Sequence, residues 1–251
     1  MPSPKIEGKP FRSFTGWYIE IGDASLLFDI GGGLLHKMLE EGKDILKNPT
    51  HLFVSHLHLD HTVDMFQLMQ GRAVANNVFG QDFPKLVING PVGLKNLVDK
   101  IWGVYGETFK LHDLFDVQES SGGLVASKYD WKVSSSLIEH HEGSLCYRLD
   151  VNGKSIVYSG DMKIDTRICE LGKNADIAIM ECSAPDKQSL KGNHLCPEDI
   201  GKLAKTGGFK KVVLTHMYPA CEGREEEMAA VIKEIAGCEV IVGYDGLKIE
   251  I

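Results

Sequence analysis

One short segment, residues 56–61, constrains this chain more than any other. It reads His-Leu-His-Leu-Asp-His and places three histidines and one aspartate within six positions. Because alternate residues of an extended chain face the same side, His56 and His58 can point together at one metal ion. A turn that follows can direct Asp60 and His61 at a second ion. Closely spaced His/Asp sets are typical of metal ligands, so the segment predicts a metal centre rather than a solvated loop.

The composition is that of an ordinary globular protein. The chain has 251 residues, of which 43% are hydrophobic and 25% charged, and this predicts a single domain over residues 1–251. A net charge of −8 argues against broad attraction to nucleic acid or an anionic membrane. Residues 1–10 lack the apolar core of a signal peptide, and no apolar run reaches the roughly 18 residues of a membrane span. Six scattered cysteines, with no Cys-x-x-Cys pair, are expected to be the reduced thiols of a cytoplasmic protein.

Strand-like and helix-like patterns alternate along the chain, which predicts a layered α/β fold. The expected strands are residues 25–30, 52–54, 85–88, 131–138, 145–151, 155–159, 176–180, 211–215, 239–242 and 247–251. The expected helices are residues 34–45, 63–74, 91–104, 197–205 and 224–236. Asn152-Gly153 predicts a tight hairpin between two of the strands.

Histidine or aspartate follows almost at once where several apolar runs end. These strand exits lead to His56, to the adjacent pair His140 and His141, to Asp161 and to His216. Active-site groups commonly occupy loops at strand ends, where a rigid sheet positions them. One such exit means little, but four of them together with the dense histidine segment predict a single functional site.

The order and spacing of these motifs resemble the metallo-β-lactamase superfamily. The motifs are His56-x-His58-x-Asp60-His61, His140, Ser159-Gly160-Asp161 and Leu214-Thr215-His216, and the resemblance spans residues 14–251. It implies a four-layer αβ/βα sandwich of two sheets with a two-metal site at one edge. By this resemblance, one ion is held by His56, His58 and His140, the other by Asp60, His61 and His216, and Asp161 bridges both. Asp29 matches an acidic position that lies behind the metal site, and we expect it to support a ligand histidine.

Only one of the neighbours His140 and His141 should be a ligand. In similar proteins the histidine often precedes a Tyr-Arg pair by seven positions. Tyr147-Arg148 occurs here, and 147 − 140 = 7. This spacing favours His140 and leaves His141 as a residue that lines the pocket.

Within the superfamily, the chain most resembles the group of ribonuclease Z, arylsulfatases and cyclic-nucleotide phosphodiesterases. Asp60 stands where the antibiotic-hydrolysing branch has cysteine, and His194 matches a catalytic histidine of the group. The chain departs from ribonuclease Z because only 20 residues separate His140 from Asp161 (161 − 140 − 1 = 20), which leaves no room for a tRNA-gripping arm. A long nucleic acid is therefore expected to be a poor substrate.

These features predict a hydrolase with two divalent metal ions that acts on a small anionic ester. Zinc suits the ligand set, and manganese or iron can occupy the same ligands. Asp60 and Asp161 would hold the attacking hydroxide, and His194 would protonate the leaving oxygen. A phosphodiester is the favoured substrate, an aryl sulfate or lactone is the alternative, and a metal-binding protein without hydrolytic activity is the alternative of another class. The sequence predicts no membrane partner and leaves a homodimer open.

Overall fold

Two β-sheets hold the strands in the part of the chain that this computed structural model describes, residues 12–105, 114–190 and 192–251. The sheets belong to two compact units. The N-terminal unit is Phe14–Ser120. The C-terminal unit is Ser121–Ile251 together with the segment Met1–Ser13. The single domain expected over residues 1–251 stays a prediction. Residues 1–10, on which the argument against a signal peptide rests, lie outside the described residues.

The described residues of the N-terminal unit form a mostly parallel five-stranded sheet with the order β1-β2-β3-β4-β5. Its strands are β1 (Trp17–Ile21), β2 (Ala24–Phe28), β3 (His51–Phe53), β4 (Leu86–Pro91) and β5 (Phe115–Ser120), and its helices are α1 (Leu34–Glu40), α2 (Leu59–Asn77) and α3 (Leu94–Tyr105). Only β1 and β2 pair antiparallel. Leu52 and Ile88 of the central strands pack with Met65 and Leu68 of α2 in one core.

The described residues of the C-terminal unit form a mixed seven-stranded sheet with the order β12-β11-β10-β9-β8-β7-β6. Its strands are β6 (Gly123–Ser127), β7 (Trp131–Leu137), β8 (Leu145–Val151), β9 (Lys154–Tyr158), β10 (Ile177–Glu181), β11 (Lys211–Thr215) and β12 (Glu239–Val242). Its helices are α4 (Arg167–Leu171), α5 (Pro197–Gly207) and α6 (Glu225–Ala236). Strands β6 to β9 are antiparallel and β9 to β12 parallel. The hairpin at Asn152-Gly153 is confirmed, since both residues have positive φ angles.

The α/β fold class predicted from the sequence is confirmed, but several element bounds differ. Helix α2 begins at Leu59 instead of residue 63, so the end of the histidine segment is helical. Pro91 ends β4 and does not open a helix, because Glu119 accepts hydrogen bonds from the N–H groups of Gly93 and Lys95 and so fixes the start of α3 further along.

One further predicted helix is shorter than expected, and one predicted strand is absent. Three observed strands were not predicted. Helix α1 ends at Glu40 instead of residue 45, just before Gly42, whose φ of +73° ends the helix. Residues 247–251 form no strand, since the chain turns where Leu247 N–H donates to the carbonyl of Tyr244. Strands β1, β5 and β6 were not among the strands predicted from the sequence.

The glycine-rich turn before α1 is packed against the first turns of α2. A Cβ on Gly31 would lie 2.2 Å from the carbonyl oxygen of Asp60, so only glycine permits this approach. The carboxylate of Asp64 accepts hydrogen bonds from the N–H groups of Gly33 and Leu35 at 3.0 and 3.1 Å. This side chain therefore caps α1 and ties it to α2. In the described parts of the chain, every helix is too short or too polar to cross a bilayer.

We predict that Asp64→Ala lowers the free energy of unfolding by about 1 kcal/mol, because it leaves two N–H groups at the start of α1 without their acceptor. Asp64→Asn keeps one carbonyl oxygen at the same position and should lose less. Urea unfolding followed by circular dichroism measures both. Equal stability of wild type and Asp64→Ala would show that the cap contributes nothing.

Candidate metal centre

Asp29 is the central acceptor of the N-terminal unit's candidate site. It directly follows β2, is fully buried and has a left-handed backbone with φ of +57°. One carboxylate oxygen accepts from the N–H of Ser55 at 2.6 Å. The other lies 2.7 Å from both Ser55 Oγ and His61 Nδ1. A buried carboxylate needs such donors, and in return it fixes the groups that supply them. Asp29 therefore orients His61, a predicted metal ligand.

Imidazole nitrogen atoms converge just after β3. His56 Nε2 lies 2.9 Å from His58 Nδ1, and the ring centroids of His56 and His61 are 4.2 Å apart. A carboxylate oxygen of Asp60 and a ring nitrogen of His61 lie within 4.8 Å of each other. Two nitrogen ligands on one tetrahedral zinc ion are about 3.3 Å apart, given bonds of about 2.0 Å. The donor spacing in this unit therefore suits a divalent ion.

Three further donors predicted from the sequence lie at one edge of the C-terminal unit's sheet. His140, Asp161 and His216 follow β7, β9 and β11, which run in the same direction, so their exits share this edge. Asp161 Oδ2 lies 3.4 Å from His216 Nε2 and 3.9 Å from His140 Nε2. His216 has a left-handed backbone with φ of +54°. These side chains are almost fully buried, so a cation held here would be shielded from solvent.

The two neighbouring histidines have different surroundings. His140 Nδ1 lies 2.8 Å from the carbonyl oxygen of Asn193. A carbonyl only accepts, so Nδ1 carries the hydrogen and Nε2, on the side of Asp161, offers a lone pair. Burial lowers the pKa of the His140 imidazole, which favours the neutral form that a metal requires. His141 is exposed. The choice of His140 as the ligand stays a prediction, and these contacts favour it.

We predict that His140→Ala loses bound metal, whereas His141→Ala retains it, because only His140 offers a buried lone pair beside Asp161. Elemental analysis of both variants after identical purification gives the comparison. His141→Ala is the matched control for the loss of an imidazole at this strand exit. Metal loss from His141→Ala with retention in His140→Ala would reverse the assignment.

His194 is held by a buried carboxylate that the sequence reasoning missed. Glu181, the last residue of β10, is fully buried and accepts from His194 Nδ1 at 3.0 Å, Met162 N–H at 2.8 Å and Leu195 N–H at 3.3 Å. His194 Nε2 lies 3.0 Å from the hydroxyl of Tyr218. An acidic residue at the end of an apolar run is the same signal as at the other strand exits, but the strand predicted from the sequence ends at residue 180 and leaves Glu181 out. Tyr218 carries no comparable signal.

His194 also lies close to the metal-ligand candidates. Donor atoms of His194, Asp161 and His216, one from each, lie within 4.8 Å of one another, a spacing that can hold a metal ion. The nitrogen of His194 that is 3.9 Å from Asp161 is Nδ1, which already donates to Glu181. A nitrogen that carries a hydrogen cannot bind a metal. This geometry is compatible with His194 as an acid rather than a ligand.

The cysteines provide no donors to this site at neutral pH. All six lie in described residues, and all are buried and free. Burial raises the pKa of Cys146 to about 12 and that of Cys221 to about 11, and it raises the pKa of Cys182 well above its usual value. Metal ligation and nucleophilic attack need the thiolate. The candidate donors are thus imidazoles and carboxylates.

Comparison with known proteins identifies the family. A family model described as the beta-lactamase superfamily domain matches residues 25–217. The chain belongs to the metallo-β-lactamase superfamily. It is 25% identical to a protein named ribonuclease Z from Macrococcus caseolyticus over 277 aligned positions, covering 90% of this chain and 89% of the relative. An uncharacterized protein of Mycobacterium leprae is 28% identical, covering 91% of this chain and 79% of that protein.

Solved structures show the same fold. The metallo-β-lactamase fold protein YhfI from Bacillus subtilis matches with a TM-score of 0.80 and 22% identity, covering 94% of this chain and 91% of that one. The short form of human tRNase Z matches with a TM-score of 0.77 and 18% identity, covering 96% and 94%. Family membership and the His/Asp clusters together support divalent-metal binding and a metal-dependent hydrolase.

Proposed function

We propose that this protein is a hydrolase with two divalent metal ions that cleaves small phosphodiesters. The observation that carries the proposal is His194, an imidazole held by the buried carboxylate of Glu181 and 3.9 Å from Asp161. Such an imidazole can donate a proton to a poor leaving group such as an alkoxide. The relative named ribonuclease Z, a name that denotes phosphodiester cleavage, supports the same substrate class.

The ligands in this proposal are the histidine and aspartate donors predicted from the sequence: His56, His58, Asp60, His61, His140, Asp161 and His216. Imidazole and carboxylate together suit zinc, and manganese or iron(II) can take the same set. Ions bound by these residues would lower the pKa of a water molecule and neutralise charge that develops on the ester oxygens.

Residues of this chain accept and donate the protons of the proposed reaction. The carboxylates of Asp60 and Asp161 can accept the proton that the attacking water gives up. As the P–O bond breaks, its electron pair goes to the leaving oxygen, which takes a proton from His194. Glu181 accepts from the opposite nitrogen of that ring and stabilises its protonated form, as the carboxylate does in a Ser-His-Asp triad.

Small substrates fit this chain better than tRNA precursors. The residues between His140 and Asp161 consist mainly of β8 and β9, joined by the tight turn at Asn152-Gly153. A gripping arm has no place there. The net charge of −8 supplies little attraction for a long polyanion, whose binding normally needs several Lys or Arg contacts to phosphates.

We predict that the protein, purified without chelator and supplied with zinc or manganese, contains about two metal equivalents per chain by elemental analysis. Removal of the metal by a chelator should abolish hydrolysis of bis-nitrophenyl phosphate, and the added ion should restore it. Metal binding without turnover of any diester, sulfate or lactone would favour the non-hydrolytic alternative. A stoichiometry of zero would contradict the metal assignment itself.

We predict that His194→Ala lowers kcat by about 10²-fold or more for an alkyl diester, because an alkoxide must be protonated as it leaves. The loss for bis-nitrophenyl phosphate should be far smaller, since nitrophenolate departs without a proton. Steady-state kinetics on both diesters and on a tRNA precursor test this. Equal losses on the two diesters would remove His194 from the acid role, and efficient, salt-sensitive cleavage of the precursor would overturn the preference for small substrates.

A further inference from the structure

A buried carboxylate in the N-terminal unit reaches two imidazoles by two different routes. Asp29 contacts His61 Nδ1 directly at 2.7 Å. It reaches His56 through a serine: Ser55 Oγ lies 2.7 Å from Asp29 Oδ2 and 3.0 Å from His56 Nδ1. Asp29, Ser55, His56 and His61 are all at most 1% exposed. The hydrogen bonds of this cluster are therefore shielded from competing water.

The C-terminal unit repeats the arrangement with different residues. Glu181 contacts His194 Nδ1 directly at 3.0 Å. It reaches His216 through Ser183, whose Oγ lies 2.7 Å from Glu181 Oε2 and 3.0 Å from His216 Nδ1. Glu181 is fully buried and Ser183 is 2% exposed. Each unit thus has one carboxylate, one serine bridge and two imidazoles.

The single hydroxyl hydrogen of each serine decides which nitrogen of the bridged imidazole is protonated. A carboxylate accepts only, so Ser55 donates its one hydrogen to Asp29. Ser55 must then act as the acceptor towards His56, whose Nδ1 carries the hydrogen. In the neutral ring, the lone pair is on Nε2. That atom faces His58 Nδ1 at 2.9 Å, where the donor atoms converge.

Ser183 also has only one hydroxyl hydrogen, although two acceptors lie within its reach. Its hydroxyl can donate to Glu181 Oε2 at 2.7 Å or to the carbonyl of His216 at 3.1 Å. Both oxygens only accept, so in either case no hydrogen remains for His216 Nδ1. His216 Nδ1 is the donor, and its Nε2 lone pair is directed towards Asp161 Oδ2 at 3.4 Å. The result does not depend on which acceptor is used.

We propose that Ser55 and Ser183 are positioning residues that fix the metal-binding tautomers of His56 and His216. Each serine joins its histidine to a buried carboxylate, so that Nδ1 keeps the hydrogen and Nε2 offers its lone pair. That the lone pairs bind metal ions rests on the proposed two-metal function. The assignment of the tautomers does not depend on that function. Groups that orient a metal ligand in this way typically contribute 10- to 100-fold to metal affinity.

The tautomers can be read in the metal-free protein by long-range ¹H–¹⁵N NMR of its histidines. The wild type should show the Nδ1–H form at His56 and His216. Ser183→Ala should disturb the tautomer of His216, and Ser55→Ala that of His56, because each removes the serine oxygen to which the Nδ1–H donates. Ser183 Oγ also lies 3.3 Å from His194 Nδ1, but Glu181 still accepts from that nitrogen, so the tautomer of His194 should not change. Ser159→Ala is the matched control, since Ser159 is fully buried beside Glu181 and its hydroxyl donates to Gly160 O rather than contacting an imidazole.

Metal affinity gives the second readout, measured by competition with a chromophoric chelator. Both serine-to-alanine variants should bind zinc about 10- to 100-fold more weakly than the wild type, and Ser159→Ala should bind as the wild type does. If an alanine variant does not fold, the tautomers of the wild-type protein still test the proposal, because an Nε2–H form at either His56 or His216 overturns it. Unchanged tautomers in both folded variants overturn it as well. Correct tautomers in a protein that hydrolyses no diester would refute the proposed function and leave this inference standing.

Discussion

The cost of burying a carboxylate organises this protein's candidate site. Asp29 and Glu181 have no solvent exposure, and an ionised carboxylate in such a place is tolerated only when several donors satisfy it. Asp29 accepts from the backbone N–H of Ser55, and Glu181 from those of Met162 and Leu195; each carboxylate also binds a serine hydroxyl and an imidazole N–H. Every donor that satisfies the carboxylate is itself fixed in orientation. The need to satisfy one buried charge thus becomes the means by which several site residues are positioned.

Two residues of the candidate site have a strained backbone. Asp29 and His216 both adopt left-handed φ angles directly after a strand, a conformation that costs a residue with a side chain on the order of 1 kcal/mol or more. The contacts of both side chains offset this cost. Asn152 also has a positive φ, but it belongs to the hairpin turn, where asparagine is favoured.

Carboxylates also occupy the helix starts that would otherwise attract an anion. Asp64 accepts from the first N–H groups of α1, and Glu119 does the same for α3. The Gly31-Gly32-Gly33 turn is therefore a packing device and not a phosphate-binding loop, although its composition resembles one. In the proposed reaction, the bound metal ions would balance the charge of a substrate phosphate, and His194 would protonate the leaving oxygen.

The sequence by itself determined the fold class, most helices and strands, and the donors at the strand exits. These follow from local patterns: apolar periodicity marks the elements, and a polar residue at the end of an apolar run marks the exit. The predicted start of α3 was wrong because a distant residue decided it: Glu119 accepts from the N–H of Lys95. The spacing of histidines around His56 predicts a metal site from the sequence alone, and family membership and the His/Asp clusters support divalent-metal binding.

Only the tertiary structure revealed what holds the site together. Ser55 and Asp29 are 26 positions apart, and Ser183 and His216 are 33 apart. No periodicity or spacing rule predicts that a particular serine will meet a particular imidazole across such a distance. A hydroxyl has one hydrogen, so its role depends on which acceptors the fold brings within about 3 Å, and that is decided by packing rather than by neighbouring sequence.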